Sequence, residues 1–191
     1  MLPKLGLGLL VIAAGLLAAI ATRPDTFRVE RSTTIAAPAE VVFGFVNDFH
    51  QSDRWNPFLK ADPATKVSYA GASAGVGSVY EWSSEKTGAG RQEILESRPD
   101  EYVRIKLDFY KPFEATSTVE YTLKPAPGGV SLSWVMAGDN TFLGKAMSLV
   151  ADMDQIVGRD FEKGLADIKA AAEAEARARP AAPAPAAAPA P

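Results

Sequence analysis

Between Lys66 and Met136 the chain alternates apolar and polar residues, the period of strands with one face on a core and the other in water. Val103, Ile105, Leu107 and Phe109 alternate with Arg104, Lys106 and Asp108; Val119, Tyr121 and Leu123 with Thr118, Glu120 and Thr122; Leu132, Trp134 and Met136 with Ser131, Ser133 and Val135. Val67 to Ala70, Val76 to Glu85 and Arg91 to Ser97 read as three more strands, divided by Gly71-Ala72-Ser73-Ala74-Gly75 and Thr87-Gly88-Ala89-Gly90. Phe27 to Ile35 is a seventh, with Phe27, Val29, Thr33 and Ile35 on one face. Ala36-Ala37-Pro38 then breaks the alternation and opens a short amphipathic helix over Ala39 to Asn47. Residues 48–58, rich in helix-capping types, predict a second short helix. From Leu143 to about Ala176 apolar residues recur every three or four positions (Leu143, Met147, Val150, Met153, Val157, Phe161, Leu165, Ile168), which predicts one long helix with a single apolar stripe.

Strands joined by turns this short must be antiparallel, because a parallel crossover needs a dozen or more residues. The apolar face of such a sheet needs a cover, and the long helix supplies it. The expected fold class is therefore α+β: a seven-stranded curved antiparallel sheet around a long C-terminal helix, with two short helices after the first strand. Burial of each large side chain in that interface stabilises the fold by roughly 1.5 to 3 kcal/mol. Gly158 and Gly164 each cost the helix about 1 kcal/mol relative to alanine, so a close approach of helix to sheet is expected at both.

Outside this domain, expected over residues 26–176, two segments have other patterns. Leu5 to Ala21 is an uncharged apolar run inside residues 1–22; at about 1.5 Å per residue it extends roughly 26 Å as a helix, just enough for a hydrocarbon core. It reads as a single-pass anchor in the cell membrane. Lys4 followed by Ala19-Ile20-Ala21 also fits a signal peptide, but the run exceeds the usual apolar length of one. Arg23, Arg28 and Arg31 favour a cytoplasmic carboxyl side, whereas the signal-peptide reading predicts the reverse, so the side is open. At the other end, residues 177–191 are expected to be a solvated Ala/Pro-rich tail, since the prolines from Pro180 stop the helix.

Composition narrows the function. A chain of 191 residues with 47% hydrophobic content fits one ordinary domain with appendages. A net charge of −3 with scattered Lys and Arg gives no phosphate-backbone footprint, so no nucleic-acid partner is expected. The absence of cysteine rules out disulfides, thiolate nucleophiles and Cys-ligated metals. His50 is the single histidine; beside Asp48 and Asp53 it reads as a surface residue rather than a general base. No Gly-x-Ser-x-Gly elbow occurs. Asp152 and Asp154 would point about 200° apart on a helix and cannot easily share one ion. The glycines of residues 71–77 lead into a strand, not a helix, and so form a turn rather than a phosphate cradle. No catalytic residue, metal or cofactor is expected.

Four stretches taken in order carry a resemblance: Ile35-Ala36-Ala37-Pro38-Ala39-Glu40-Val41-Val42-Phe43, Trp55-Asn56-Pro57, Gly75-Val76-Gly77-Ser78-Val79-Tyr80-Glu81-Trp82, and Phe161-Glu162-Lys163-Gly164-Leu165. With them, residues 27–169 resemble the START-like, helix-grip (SRPBCC) superfamily, in its polyketide cyclase/dehydrase-like branch, some of whose members carry an amino-terminal membrane segment. The resemblance implies a cavity between sheet and last helix suited to a hydrophobic or lipid-like small molecule, and it does not imply catalysis. Tyr80, Trp82, Phe109, Val119, Tyr121, Leu132, Trp134, Met153, Val157 and Phe161 are the candidates for its apolar lining. Glu81, Arg91, Glu93 and Tyr110 are the polar candidates, if their strands turn them inward. Three readings follow: an anchored binder of a hydrophobic or amphipathic small molecule, a cyclase or dehydratase-type enzyme, and a protein-interaction module. Polar groups converging in the cavity would favour the enzyme, an apolar cavity the binder, and a collapsed one the interaction module.

Overall fold

The computed structural model describes residues 2–149 and 151–179, with the side chains of residues 2–7, 9, 11 and 153 outside the described set. Helix α1 (Leu2–Ala21) precedes strand β1 (Thr26–Ile35), and α2 (Ala39–Asn47) follows it, with Pro38 at the N-cap. The second short helix expected over residues 48–58 is a 3₁₀ turn (Phe49–Gln51) and two very short helices, α3 (Ser52–Trp55) and α4 (Pro57–Ala61). The 3₁₀ turn and α4 are each capped: the Asp48 carboxylate accepts from His50 N and the Asn56 side chain from Phe58 N, both at 2.9 Å. Then come β2 (Lys66–Gly71), β3 (Ser78–Ser84), β4 (Gly88–Arg98), β5 (Tyr102–Lys111), β6 (Ala115–Ala126) and β7 (Gly129–Asp139), followed by α5 (Phe142–Met147) and α6 (Met153–Ala178).

All seven strands form one sheet in the order β1-β7-β6-β5-β4-β3-β2, every neighbouring pair antiparallel. The residues expected inward on the late strands are inward: Val103, Ile105, Leu107, Val119, Tyr121, Leu123, Leu132 and Trp134 are all buried.

The long helix is shorter than its apolar pattern. The first helix of the pattern ends at Met147, residues 148–149 and 151–152 belong to neither helix, and α6 starts with Asp152 as N-cap, its carboxylate accepting from Gln155 N at 3.2 Å. Of the expected stripe, Phe161, Leu165 and Ile168 are fully buried, joined by Ala172, while Leu143 and Met147 on α5 are exposed. Val150 and the Met153 side chain lie outside the described residues, as do residues 180–191 of the expected tail.

The two helix glycines mark two places where the backbone of α6 comes close to side chains of the sheet. A Cβ on Gly164 would fall 2.7 Å from Trp134 Cζ3 and 3.2 Å from Pro57 Cδ. One on Gly158 would fall 2.0 Å from Arg31 Nη2. Arg31, on the inward face of β1, lies across bare helix backbone between its two partners one turn away on either side. Its Nη2 donates to Asp154 Oδ2 at 2.9 Å and its Nε to Glu162 Oε1 at 2.9 Å. Farther along, Glu173 accepts from Ala36 N at 3.0 Å and Lys169 Nζ donates to Thr34 O at 2.7 Å, so α6 is tied to β1 along its length.

Two predictions follow from this seating. Trp134 is held between neighbouring rings, so overpacking at Gly164, typically about 1 to 3 kcal/mol, outweighs the helix gain of about 1 kcal/mol from alanine. Gly164→Ala is expected to lower stability by about 1 to 2 kcal/mol in urea unfolding, and by more than Gly158→Ala, where the far end of a flexible side chain gives way. Equal losses would contradict the two contacts. The second concerns acid. Hydrogen bonds from Arg31, reinforced by its charge, hold the Asp154 carboxyl below the usual carboxylate range. That contribution is complete above the unfolded-state value of about 3.9 and is lost as pH falls through the lower folded value. Arg31→Met should therefore unfold with a shallower dependence on pH below about 4 than the unaltered protein; parallel curves would refute the assignment.

Candidate functional site

Because α6 sits over β1 and β7, the concave face of β3 to β6 needs another cover, and α2, the 3₁₀ turn, α3 and α4 provide it. A cavity of about 120 Å³ is left between them and the sheet. Its floor is Tyr80 and Trp82 from β3, Gln92 from β4, Ile105, Leu107 and Phe109 from β5, Val119 and Tyr121 from β6, and Trp134 and Met136 from β7. Its roof is Phe45, Phe49, Trp55, Phe58 and Leu59, with Phe161 of α6 as one wall.

Aromatic rings set the shape. Trp134 stacks on Phe161 at 4.0 Å between centroids, and Trp55 meets Trp134 edge-on at 5.5 Å. Tyr121 packs against Trp134 at 5.4 Å. On the far side Phe49, Tyr80, Trp82 and Phe109 form a second chain of contacts, each 5.7 to 6.0 Å from the next. Gly90 makes this possible, since a Cβ there would stand 2.3 Å from the Trp82 ring. Trp55 Nε1 donates to Phe45 O at 3.0 Å and so fixes the roof. The rim is tied by Asp62, which accepts from Ser84 Oγ at 2.6 Å.

The polar content of the lining is neutral: Ser52, Asn56, Thr65, Thr87, Gln92 and the two tyrosine hydroxyls, with no charged side chain among the described residues. Burial pushes the Tyr121 phenol up, and does the same to Tyr80 with a smaller contribution from Tyr69, so both stay protonated and can donate a hydrogen bond. Trp134 Nε1 is the one fully buried side-chain polar atom without a hydrogen-bond partner among the described residues.

Seven of the ten apolar candidates therefore meet at the cavity: Tyr80, Trp82, Phe109, Val119, Tyr121, Trp134 and Phe161. Leu132 is fully buried core outside the lining. Val157 lines a separate outer hollow, and the Met153 side chain is outside the described residues. Val119 and Phe161 both line the cavity.

None of the four polar candidates faces the cavity. Glu81 lies between inward Tyr80 and Trp82 and so points outward; Tyr110, next to inward Phe109, is half exposed. Arg91 and Glu93 pair with each other on the convex face at 2.7 Å. Inward on that strand are Gly90, Gln92 and Ile94. The parity was ambiguous because Ile94 and Leu95 are adjacent apolar residues and a bulge falls between Ile94 and Glu96. The roof aromatics were also missed, although Phe49, Trp55 and Phe58 interrupt an otherwise polar stretch, and that was the available signal. His50 is on the surface, stacked on Tyr69 at 4.2 Å with Nδ1 2.9 Å from Asp48 Oδ1. Asp152 caps α6 and Asp154 binds Arg31, so each has a structural role.

Solved structures share this architecture. Protein CV1439 from Chromobacterium violaceum is similar at 22% identity over 79% of this chain and 99% of that one, TM-score 0.56. The di-domain ARO/CYC StfQ from the steffimycin biosynthetic pathway is similar at 12% identity over 80% of this chain and 52% of that one, TM-score 0.58. The Aha1 dimer from Colwellia psychrerythraea is similar at 12% identity over 77% and 96%, TM-score 0.55. At such identities the likeness establishes the fold alone. No curated protein sequence matches the chain. The family model for polyketide cyclase / dehydrase and lipid transport matches residues 26–173, from the start of β1 into the last turns of α6, and the chain belongs to that family.

Proposed function

We propose that this is a membrane-anchored START-like domain that binds a hydrophobic or amphipathic small molecule, held not between the sheet and α6 alone, as the resemblance implies, but under the short helices α2 to α4, with Phe161 of α6 as one wall. The cavity carries the reading: aromatic walls, a few neutral hydrogen-bonding groups and no charged side chain among the described residues. Such a lining rewards an apolar ring system and can orient one oxygen-bearing group through a tyrosine hydroxyl or Gln92. At about 120 Å³ it is close to an engineered cavity of about 150 Å³ that holds benzene, so a single ring fits as the side chains stand. Larger ligands require Phe58 and Leu59 of α4 to move from the rim.

The cyclase or dehydratase reading draws on the family and on the printed name of the StfQ structure. It needs a proton acceptor that titrates near neutral pH, and the lining offers phenols pushed the other way. An interaction module with a collapsed interior is disfavoured by the cavity itself.

The anchor rests on the uncharged run from Leu5 to Ala21. Among the described residues no helix is long and apolar enough to cross a membrane. The side chains of residues 5–7, 9 and 11 in that run lie outside them.

Val119 tests the cavity. Bulk added to a packed core costs typically 1 to 3 kcal/mol, whereas bulk added to a void finds room. Val119→Trp should cost less than about 1 kcal/mol in stability, yet weaken uptake of the one-ring probe phenol, read by titration calorimetry, at least about tenfold, or about 1.4 kcal/mol. Arg104→Ala, on the convex face where Arg104 pairs with Glu96 at 3.3 Å, should leave uptake unchanged. Unfolding of Val119→Trp, or no uptake by the unaltered protein, would overturn the binding reading.

A further inference from the structure

The end of the domain from which α1 leaves is unusually apolar. Ile20, in the last turn of α1, is only 4% exposed, and among the described residues α1 packs against α5. Lys145 of α5 pairs with Asp25, which fixes the linker between α1 and β1 against the same helix. Yet α5 buries none of its residues. Phe142 is 64% exposed, Leu143 and Met147 also face outward, and so does Ile156 just beyond the α5–α6 break.

A second element brings another large ring to this end. The antiparallel topology places the start of β1, the end of β7 and the β5–β6 turn together, and that turn carries Phe113 at 61% exposure. Ala115, two residues on, lines an outer hollow of about 760 Å³ together with Gly144 and Met147 of α5 and Arg23 after α1. Phe109 and Met136 line both this hollow and the inner cavity, so two side chains are common to their walls. One of them is methionine, whose unbranched chain rearranges at low cost.

We propose that this end of the domain is seated in the lipid–water interface, with Phe113, Phe142, Leu143 and Met147 inserted among the acyl chains and the outer hollow opening onto the bilayer. The proposal rests on the anchored reading of α1. If α1 spans the membrane, whatever packs against its last turn lies within a few ångströms of the bilayer surface. Four large apolar side chains that would otherwise stand in water then meet lipid. Arg23, directly after the span, sits at headgroup level, where a basic residue is favoured. An apolar ligand dissolved in the bilayer would reach the inner cavity past Phe109 and Met136 without crossing water.

The chain has no cysteine, so single thiols can report on position. Full-length Phe142→Cys, Met147→Cys and Val76→Cys proteins, labelled with nitrobenzoxadiazole, would be reconstituted into palmitoyl-oleoyl phosphatidylcholine vesicles. Val76 is the control, exposed in the β2–β3 turn at the opposite end of the sheet. Doping the vesicles with phosphatidylcholine that carries a doxyl group near the headgroup should extinguish emission at positions 142 and 147 and leave position 76 unchanged. Flotation after a carbonate wash reads the anchor separately. Vesicle-bound protein with unquenched labels at 142 and 147 overturns the proposal and leaves the anchor standing. Protein stripped by carbonate but quenched at 142 and 147 before the wash removes the anchor and keeps the seating. Protein that neither floats nor is quenched overturns both.

Discussion

The distance between α6 and the sheet is set by one contact, the stack of Trp134 on Phe161 beside the bare backbone of Gly164. A side chain at Gly164 would push the helix off the indole; without one, α6 comes down on β7 and the two rings lie parallel. Arg31 does the same near the start of α6, its guanidinium laid across Gly158 and bound at both sides. A helix fixed this closely over β1 and β7 cannot also cover β3 to β6 of a twisted sheet. The short helices α2 to α4 roof that remaining surface, and rigid rings do not fill it. The cavity is thus a geometric result of where the helix is made to touch.

What the cavity can do follows from what lines it. Charged side chains lie on the convex face, where Arg91, Glu93, Arg104 and Glu96 pair in water and contribute little to stability. The concave face keeps neutral donors whose phenols burial holds protonated. Such a lining suits desolvating and orienting a ligand, and among the described residues it holds no carboxylate, imidazole or amine. Family membership is compatible with this division, since shared folds host unrelated chemistries and the site decides among them.

Most of the sheet could be read in the sequence because one face is buried and the other wet, and alternation records that directly. Val103 to Phe109 and Val119 to Leu123 fell where the pattern put them. The pattern failed where geometry departs from a simple period. The faces of Arg91 and Glu93 stayed open because Ile94 and Leu95 are adjacent apolar residues with a bulge between Ile94 and Glu96; the inward polar residue is Gln92. The apolar spacing ran on past Met147 although α5 ends there and α6 begins only at Met153, because an exposed apolar face on α5 keeps the same spacing as a buried one. Gly158 and Gly164 were legible as close approaches, but their partners were not, since Arg31 and Trp134 are more than a hundred and about thirty residues away along the chain, respectively.

The exposed rings on α5 and the β5–β6 turn link the proposed anchor to the proposed binding site, because the outer hollow between them shares walls with the inner cavity. Everything still depends on the inner cavity being a place where a molecule sits. Its occupancy can be read directly from intermolecular nuclear Overhauser effects between phenol, a single ring, and the full-length protein in detergent micelles. The account predicts cross-peaks from the probe to the methyl groups of Val119, Ile105 and Leu107, which line the cavity and are shielded from solvent. Cross-peaks confined to exposed residues such as Leu143 and Met147, with none to those three at saturating probe, would contradict it.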